Sequence, residues 1–324
     1  YAARCLPLSG FEPMTTAQAH PNIALVKYWG KQERVGNLPA TPNLSITLAG
    51  LTTTTHVTDA AKDTFVLNDA PADDPKLSRW LETLRGSFDI PPLEIHSSND
   101  FPTSAGLASS ASGFAALITA INAFCELGLD QAMCSQWARR GSASAARSIY
   151  GGFVALVPPQ WWAVPMAKKD HWALEVVVAV TSTEAKDVSS GEGMERSRLT
   201  SAFYNAWLRD AAADFTAASD AISSKDFAAL SAVAELSCLK MHSVMLTSQP
   251  TLSYWTPASI ACMDRVRSLR ALGHDVFFTV DAGPQVKAVC LSASADAVAS
   301  ALSDVPGVIK IIRSPLGDGA RVIE

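Results

Sequence analysis

Hydrophobic residues recur along this chain with two spacings, and the switches between them mark its elements. Apolar positions three or four apart predict helices through Leu77, Leu81 and Leu84, through Leu107, Ala111, Phe114, Ile118 and Ile121, and over 129–139. In the second half Phe203, Trp207, Ala211 and Phe215 predict one helix, and Phe227, Leu230, Ala234, Met241 and Met245 the next. Helices over 260–272 and 295–302 follow the same spacing. Alternation predicts strands within the Thr-rich stretch 41–57, at 65–67 and at 93–96. Apolar runs at 23–26, 153–157, 174–180 and 276–280 predict buried strands, the last within 275–281, with 174–180 covered on both faces. Strands at 286–291 and 307–313 complete the set. Residues 71–75 form an acidic loop, and 158–162 a surface turn whose two tryptophans pack locally.

A β-rich half followed by helices, and then by a helix-strand-strand-helix-strand run, implies an α+β fold. The 324-residue length favours two domains. We expect them at 14–183 and 184–324, with 1–13 as an N-terminal extension that lacks the apolar stretch of a secretory signal.

Composition narrows the function. Hydrophobic and charged contents of 48% and 18% are those of a globular chain. A net charge of −5 argues against a general nucleic-acid or anionic-membrane binder. No apolar run approaches the ~18–20 residues of a bilayer span, so neither a membrane nor a nucleic acid is expected as a partner. The six cysteines show no metal-ligand spacing and several lie in apolar helical patterns, which fits a reducing, cytoplasmic location. The six histidines include no H-E-x-x-H.

Four segments carry candidate chemistry. In P-T-S-A-G-L-A-S-S-A-S-G, residues 102–113, small residues Gly106, Ala108, Ser109, Ser110 and Gly113 open a helix whose first N–H groups favour an anion. Ser109 and Ser110 add hydroxyls for a phosphate or a magnesium ion. The segment 19–31 sets Asn22, Lys27, Tyr28 and Lys31 around the end of an apolar strand. Lysine there supplies a point charge and tyrosine a hydroxyl on a stiff ring. In 138–154, Ser142, Ser144, Arg147 and Ser148 stand among Gly and Ala, with an arginine suited to a bidentate grip on a carboxylate or phosphate. In F-F-T-V-D-A-G-P-Q, residues 277–285, a strand delivers Asp281 at its end, a good position for a general base. An anionic ligand in so acidic a chain needs a local basic pocket, which Lys27, Lys31 and Arg147 supply.

Together the segments resemble the mevalonate diphosphate decarboxylase family of the GHMP kinase superfamily. N-I-A-L-V-K-Y-W-G-K at 22–31, F-P-T-S-A-G-L-A-S-S-A-S-G-F-A-A-L at 101–117, G-S-A-S-A-A-R-S at 141–148 and D-A-G-P at 281–284 carry the likeness. K-D-V-S-S at 186–190, Gly193-Met194 and Met241-His242 extend it, from about Thr16 to the C-terminus. The resemblance implies a two-domain GHMP-kinase-like fold with its active site in the inter-domain cleft.

It also implies a reaction. ATP phosphorylates the 3-hydroxyl of mevalonate 5-diphosphate, and loss of phosphate and carbon dioxide then gives isopentenyl diphosphate. Mevalonate 5-phosphate is the alternative substrate, and a 3-hydroxyl kinase without decarboxylation the alternative activity. By resemblance Asp281 orients or deprotonates the hydroxyl, Lys27 pairs with it, and Arg147 orients the carboxylate with Asn22 and Ser144 nearby. Tyr28, Lys31, Ser142, Met194 and Ala282 line the rest of the substrate. Ser98, Asn99, Gly106, Leu107, Ala108, Ser109 and Ser110 are implied at ATP, with Mg2+ on Ser109 or Ser110 and the ATP phosphates. The chain departs from the family at Ser104, Ala143, Ala146 and Gln285, and at Gly191 and Glu192, where some bacterial relatives carry a basic residue. A homodimer is the one assembly entertained.

Overall fold

The computed structural model describes residues 14–32, 36–101, 109–184 and 186–323. Residues 1–13, Ser104, Gly106, Leu107 and Ala108 lie outside them. In strand Leu174–Val180, Val176 and Val178 join one core and Val177 and Ala179 another, so a run with no polar side is what the architecture demands. This strand sits in a four-stranded antiparallel sheet between Val286–Leu291 and Lys310–Pro315, with Val276–Val280 at the edge. Helices Pro257–Ala271 and Ala295–Ser303 cover one face. Helices Tyr204–Ser224 and Phe227–Leu246 fill the space on the other.

A second sheet, ordered Asn22–Val26, Asn43–Thr47, Phe153–Leu156 and Ala163–Ala167, shares that filled space. A third runs Arg321–Val322, Thr15–Ala19, Thr53–Asp59, Leu93–Asn99, Thr64–Leu67 and Ala70–Pro71. Helices Pro75–Arg85, Ser109–Phe124 and Gln131–Gly141 pack on it around Trp80, Phe114 and Trp137.

Two expectations change and one is met. The boundary near Thr183 falls after strand Leu174–Val180, which already belongs to the C-terminal sheet, while Arg321–Val322 returns to pair with Thr15–Ala19. The two halves are therefore not simple consecutive stretches. Residues 158–160 form the expected exposed turn, and Trp161 beside it, 5% exposed, packs locally with Val154 and Leu156. Finally, helix Phe227–Leu246 does have the length and mean hydropathy of a membrane span, but 56% of that window is buried inside the molecule. It touches three hydrophobic clusters, which explains its apolar surface on more than one side.

Candidate active site

A cavity of about 980 Å³ opens where the sheets and helix Phe227–Leu246 converge. Among the described residues eight lysines and arginines line it against one acid, Asp281. A low-dielectric concavity of one sign draws in anions despite the acidic net charge.

Asp281 stands at the end of Val276–Val280, five fully buried residues. The Gly283 N–H donates to the Asp281 carbonyl at 2.8 Å and closes the turn. Gln285 fastens it: Oε1 accepts from the Thr181 N–H and Nε2 donates to the Ser182 carbonyl, both at 2.6 Å. The Lys27 Nζ, at the end of Asn22–Val26, donates to Asp281 Oδ1. A second ammonium, Lys287, lies 3.2 Å from Oδ2. Both lysines are 1% exposed. Burial drives the Asp281 carboxyl upward, but the two ammonium groups outweigh it and hold the pKa far below the usual carboxylate range.

Arg147 is held differently. Its Nε donates to Ser45 Oγ at 2.8 Å and to Asn22 Oδ1 at 3.2 Å, Nη2 donates to Asn22 Oδ1 at 3.0 Å, and Nη1 donates to Asn43 Oδ1. Asn22 is oriented in turn, its Nδ2 donating to the Ser144 carbonyl at 2.9 Å and to Ser148 Oγ at 2.7 Å. These partners are neutral, so burial pushes the guanidinium down to about 10 while leaving it charged at neutral pH. Among the described residues each terminal nitrogen donates one N–H, and the second N–H on each suits the paired grip that a carboxylate accepts.

The hydroxyls of Ser110, Ser142 and Ser144 form a chain with 3.3 Å steps, joining the first turn of Ser109–Phe124 to the Arg147 segment. Ser110 and Lys76 also line a second slot of about 180 Å³. Phe65, Phe114 and Leu117 give that slot apolar walls, and Thr53, Ser97 and Asn99 a polar edge. Strand Leu93–Asn99 alternates, so Ser97 and Asn99 face the slot and Ser98 is exposed on the far side. Ser98, expected at ATP, therefore does not line this slot, whereas its neighbour Ser97 does.

Tyr28, Lys31, Ser142, Ser144, Met194 and Ala282 all line the large cavity. Burial raises the Tyr28 pKa, Arg147 lowers it and Asp281 adds to the rise, so the ring remains a phenol. The Lys31 Nζ donates to Asn37 Oδ1 at 2.7 Å. Trp29 and Gly30 shape this wall. The Trp29 Nε1 donates to Ser197 Oγ at 2.8 Å, and Gly30, at φ +119°, has no room for a Cβ beside the Tyr204 hydroxyl. Helix Ser190–Thr200, which carries Met194, starts at Ser189, whose Oγ accepts from the Glu192 N–H at 3.2 Å. Glu192 itself turns outward to Arg196 at 2.8 Å and puts no negative charge into the cavity.

Sequence reasoning missed Asn43, Ser45, Lys76, Lys186 and Lys287. Lys186 Nζ donates to the Ala282 carbonyl at 2.9 Å, beside the Asp281 turn. The signal for Lys287 was present: a lone ammonium in the apolar strand V-K-A-V-C-L.

Comparison with known proteins shows the family. The diphosphomevalonate decarboxylase-like N-terminal domain matches residues 19–160, and the mevalonate 5-diphosphate decarboxylase C-terminal domain matches 176–314. The diphosphomevalonate decarboxylase of Aspergillus fumigatus is 34% identical over 336 residues, covering 94% of this chain and 81% of that protein. The mevalonate diphosphate decarboxylase of Staphylococcus aureus superposes with a TM-score of 0.90 at 36% identity, over 96% of this chain and 98% of that one. A further solved neighbour, in complex with MVAPP, AMPPCP and magnesium, has a TM-score of 0.88 and 36% identity over 96% of this chain and 99% of its own.

Proposed function

The chain belongs to the mevalonate diphosphate decarboxylase family, and on that premise we propose how its cleft divides the work of an ATP-dependent decarboxylation. Mevalonate 5-diphosphate and ATP become isopentenyl diphosphate, ADP, phosphate and carbon dioxide. The reading is carried by one observation: Asp281, held anionic between Lys27 and Lys287, faces the same cavity as an Arg147 that has only neutral partners.

In the first step the 3-hydroxyl attacks the γ-phosphorus of ATP, and the bond to the bridging oxygen breaks to release ADP. Asp281 accepts a hydrogen bond from the hydroxyl and aims its lone pair. Its depressed pKa makes it a poor base at rest. A loose phosphoryl-transfer transition state needs little activation of the nucleophile, and the proton becomes acidic as the new P–O bond forms. Asp281 then takes it late, and Lys27 and Lys287 keep the resting carboxylate ionised and fixed in direction.

In the second step the C3–O bond breaks, its electron pair leaving with phosphate. The C1–C2 bonding pair becomes the C2–C3 double bond, and carbon dioxide departs. Arg147 holds the carboxylate in the orientation that this cleavage requires, and its attraction lapses as the group becomes neutral. Tyr28, Lys31, Ser142, Met194 and Ala282 bound the remainder of the substrate. Lys31, Arg139 and Arg140 add charge to the cavity lining, which offsets the missing basic residue where Gly191 and Glu192 stand.

The smaller slot suits a purine, with aromatic and aliphatic walls and the Asn99 amide at its edge. Its junction with the larger cavity, at Ser110, brings the nucleotide's terminal phosphate to the hydroxyl chain. Magnesium fits as an ion carried mainly by the nucleotide. Among the described residues no three carboxylates, histidines or cysteines converge, so the Ser109 or Ser110 hydroxyl, phosphate oxygens and water would hold it and spread the phosphate charge. We place the activity in the cytoplasm, a reading supported by the five free cysteines among the described residues.

The test is release of ADP and carbon dioxide measured side by side with mevalonate 5-diphosphate and mevalonate 5-phosphate. We expect both products, in equal amounts, with the diphosphate strongly preferred. ADP without carbon dioxide would leave a kinase, and a preference for the monophosphate would reassign the substrate.

A further inference from the structure

Lys27 and Asp281 belong to different sheets, so no ladder of backbone hydrogen bonds sets the distance between them. Both are instead fastened to one face of helix Phe227–Leu246. Ser237 Oγ accepts from the Lys27 backbone N–H at 3.0 Å. One residue on, Cys238 Sγ accepts from the Val280 N–H at 3.2 Å. One turn further, His242 Nε2 meets the Val280 carbonyl at 3.1 Å. Val280 immediately precedes Asp281, so its peptide group fixes where the carboxylate leaves the strand. Thr279 adds a weaker tie, its hydroxyl donating to the Ala24 carbonyl at 3.4 Å.

The imidazole is 2% exposed and lies against the Trp255 ring, with centroids 4.4 Å apart. A carbonyl only accepts, so the proton sits on Nε2. Burial and the neighbouring ammonium groups push the imidazole pKa down to about 4, while Asp281 and the Val280 carbonyl work the other way, and it stays neutral in working conditions. Neither Ser237 nor His242 lines the cavity.

We infer that Ser237 and His242 are positioning residues that set Lys27 against Asp281, one helix turn holding the backbone that carries each member of the pair. The inference rests on the decarboxylase reading above. It gives a use to a histidine that would otherwise be a costly buried polar group. Because a displacement near 1 Å at a reacting centre costs about 10²-fold in rate, the clamp acts on turnover rather than on binding.

The experiment compares His242→Leu, His242→Gln and Ser237→Ala with wild type in the full chain. It measures kcat and the KM of both mevalonate 5-diphosphate and ATP. We expect His242→Leu and Ser237→Ala to lower kcat by about 10- to 100-fold with each KM within about threefold of wild type. His242→Gln recovers most of the loss, because its amide N–H reaches the place that Nε2–H occupied. Turnover within about twofold of wild type in His242→Leu, an equal loss in His242→Gln, or a loss expressed through KM overturns the clamp. Should His242→Leu fail to fold, Ser237→Ala, which deletes one oxygen, decides in its place by the same kcat and KM criteria. An inactive wild type overturns the reading on which the clamp rests and the clamp with it, whereas an active wild type with unaffected variants removes the clamp alone.

Discussion

Lys27 and Arg147 are buried to nearly the same degree, 1% and 2% exposed, yet the protein treats their charges in opposite ways. Lys27 ends on a carboxylate that a second ammonium also holds. Arg147 ends on two asparagine oxygens and a serine hydroxyl, all neutral. Burying a cation without a counter-ion is expensive, and hydrogen bonds to neutral oxygens recover only part of the cost. The protein thus stores a guanidinium without a carboxylate on one wall and a carboxylate held by two ammonium groups on the other. The doubly held carboxylate suits the aiming of a neutral hydroxyl, and the guanidinium suits an incoming carboxylate.

The sharpest way to break the contrast is Asp281→Asn. Turnover is expected to fall by roughly 10³-fold or more with little change in KM, as for a group acting mainly in the transition state. Steady-state kinetics near wild type would remove Asp281 from the chemistry. On the other wall, Arg147→Lys keeps the charge but not the planar fork, and leaves the oxygens of Asn43 and Ser45 short of donors. We expect about 10²-fold lower kcat, and activity within about threefold of wild type would take Arg147 out of the site.

Lys287→Leu separates the two ammonium groups. About tenfold lower kcat is expected, with a change in the pH profile as the discriminating sign. The wild-type Asp281 pKa is depressed, so the carboxylate persists well into acid and is lost only as pH falls through that low value. With one cation gone the pKa rises, and an acidic limb in kcat moves toward neutral. A profile that superposes on wild type would make Lys287 a bystander.

The smallest effect is on stability. His242, buried between the Val280 carbonyl and the Trp255 ring, has a pKa of about 4 in the folded state, against 6.5 for the unperturbed group. The unfolded chain binds more protons between those values. The wild type therefore loses stability as pH falls from about 6.5 to 4, by up to about 3 kcal/mol. His242→Gln is expected to lose less over that interval, and urea unfolding at both ends of it measures the difference.

Asp281 and Lys27 were legible because each ends a run of apolar residues, where a polar side chain marks the place a strand stops. Lys287 left a weaker trace, a lone ammonium in V-K-A-V-C-L, which reads equally well as a strand with one wet face. Only the packing of helix Phe227–Leu246 and the neighbouring strand makes that position dry. Asn43 and Ser45 likewise look like ordinary members of a Thr-rich strand, and their use depends on an arginine more than a hundred residues away. Helix Ser190–Thr200 has two glycines and little apolar periodicity, and tertiary ties such as Trp29 to Ser197 accompany it. Strand Ala163–Ala167 contains Pro165, which is tolerated because the strand lies at a sheet edge.

The pairing of Arg321–Val322 with Thr15–Ala19 has a consequence for biosynthesis. A ribosome finishes the first of these segments three hundred residues before the second, so the layer that forms the smaller slot stays open along one border until Arg321–Val322 has been made. Gene fragments divided after residue 183 would each encode a strand that the other product's sheet needs, and they should regain turnover only when the two polypeptides are expressed together.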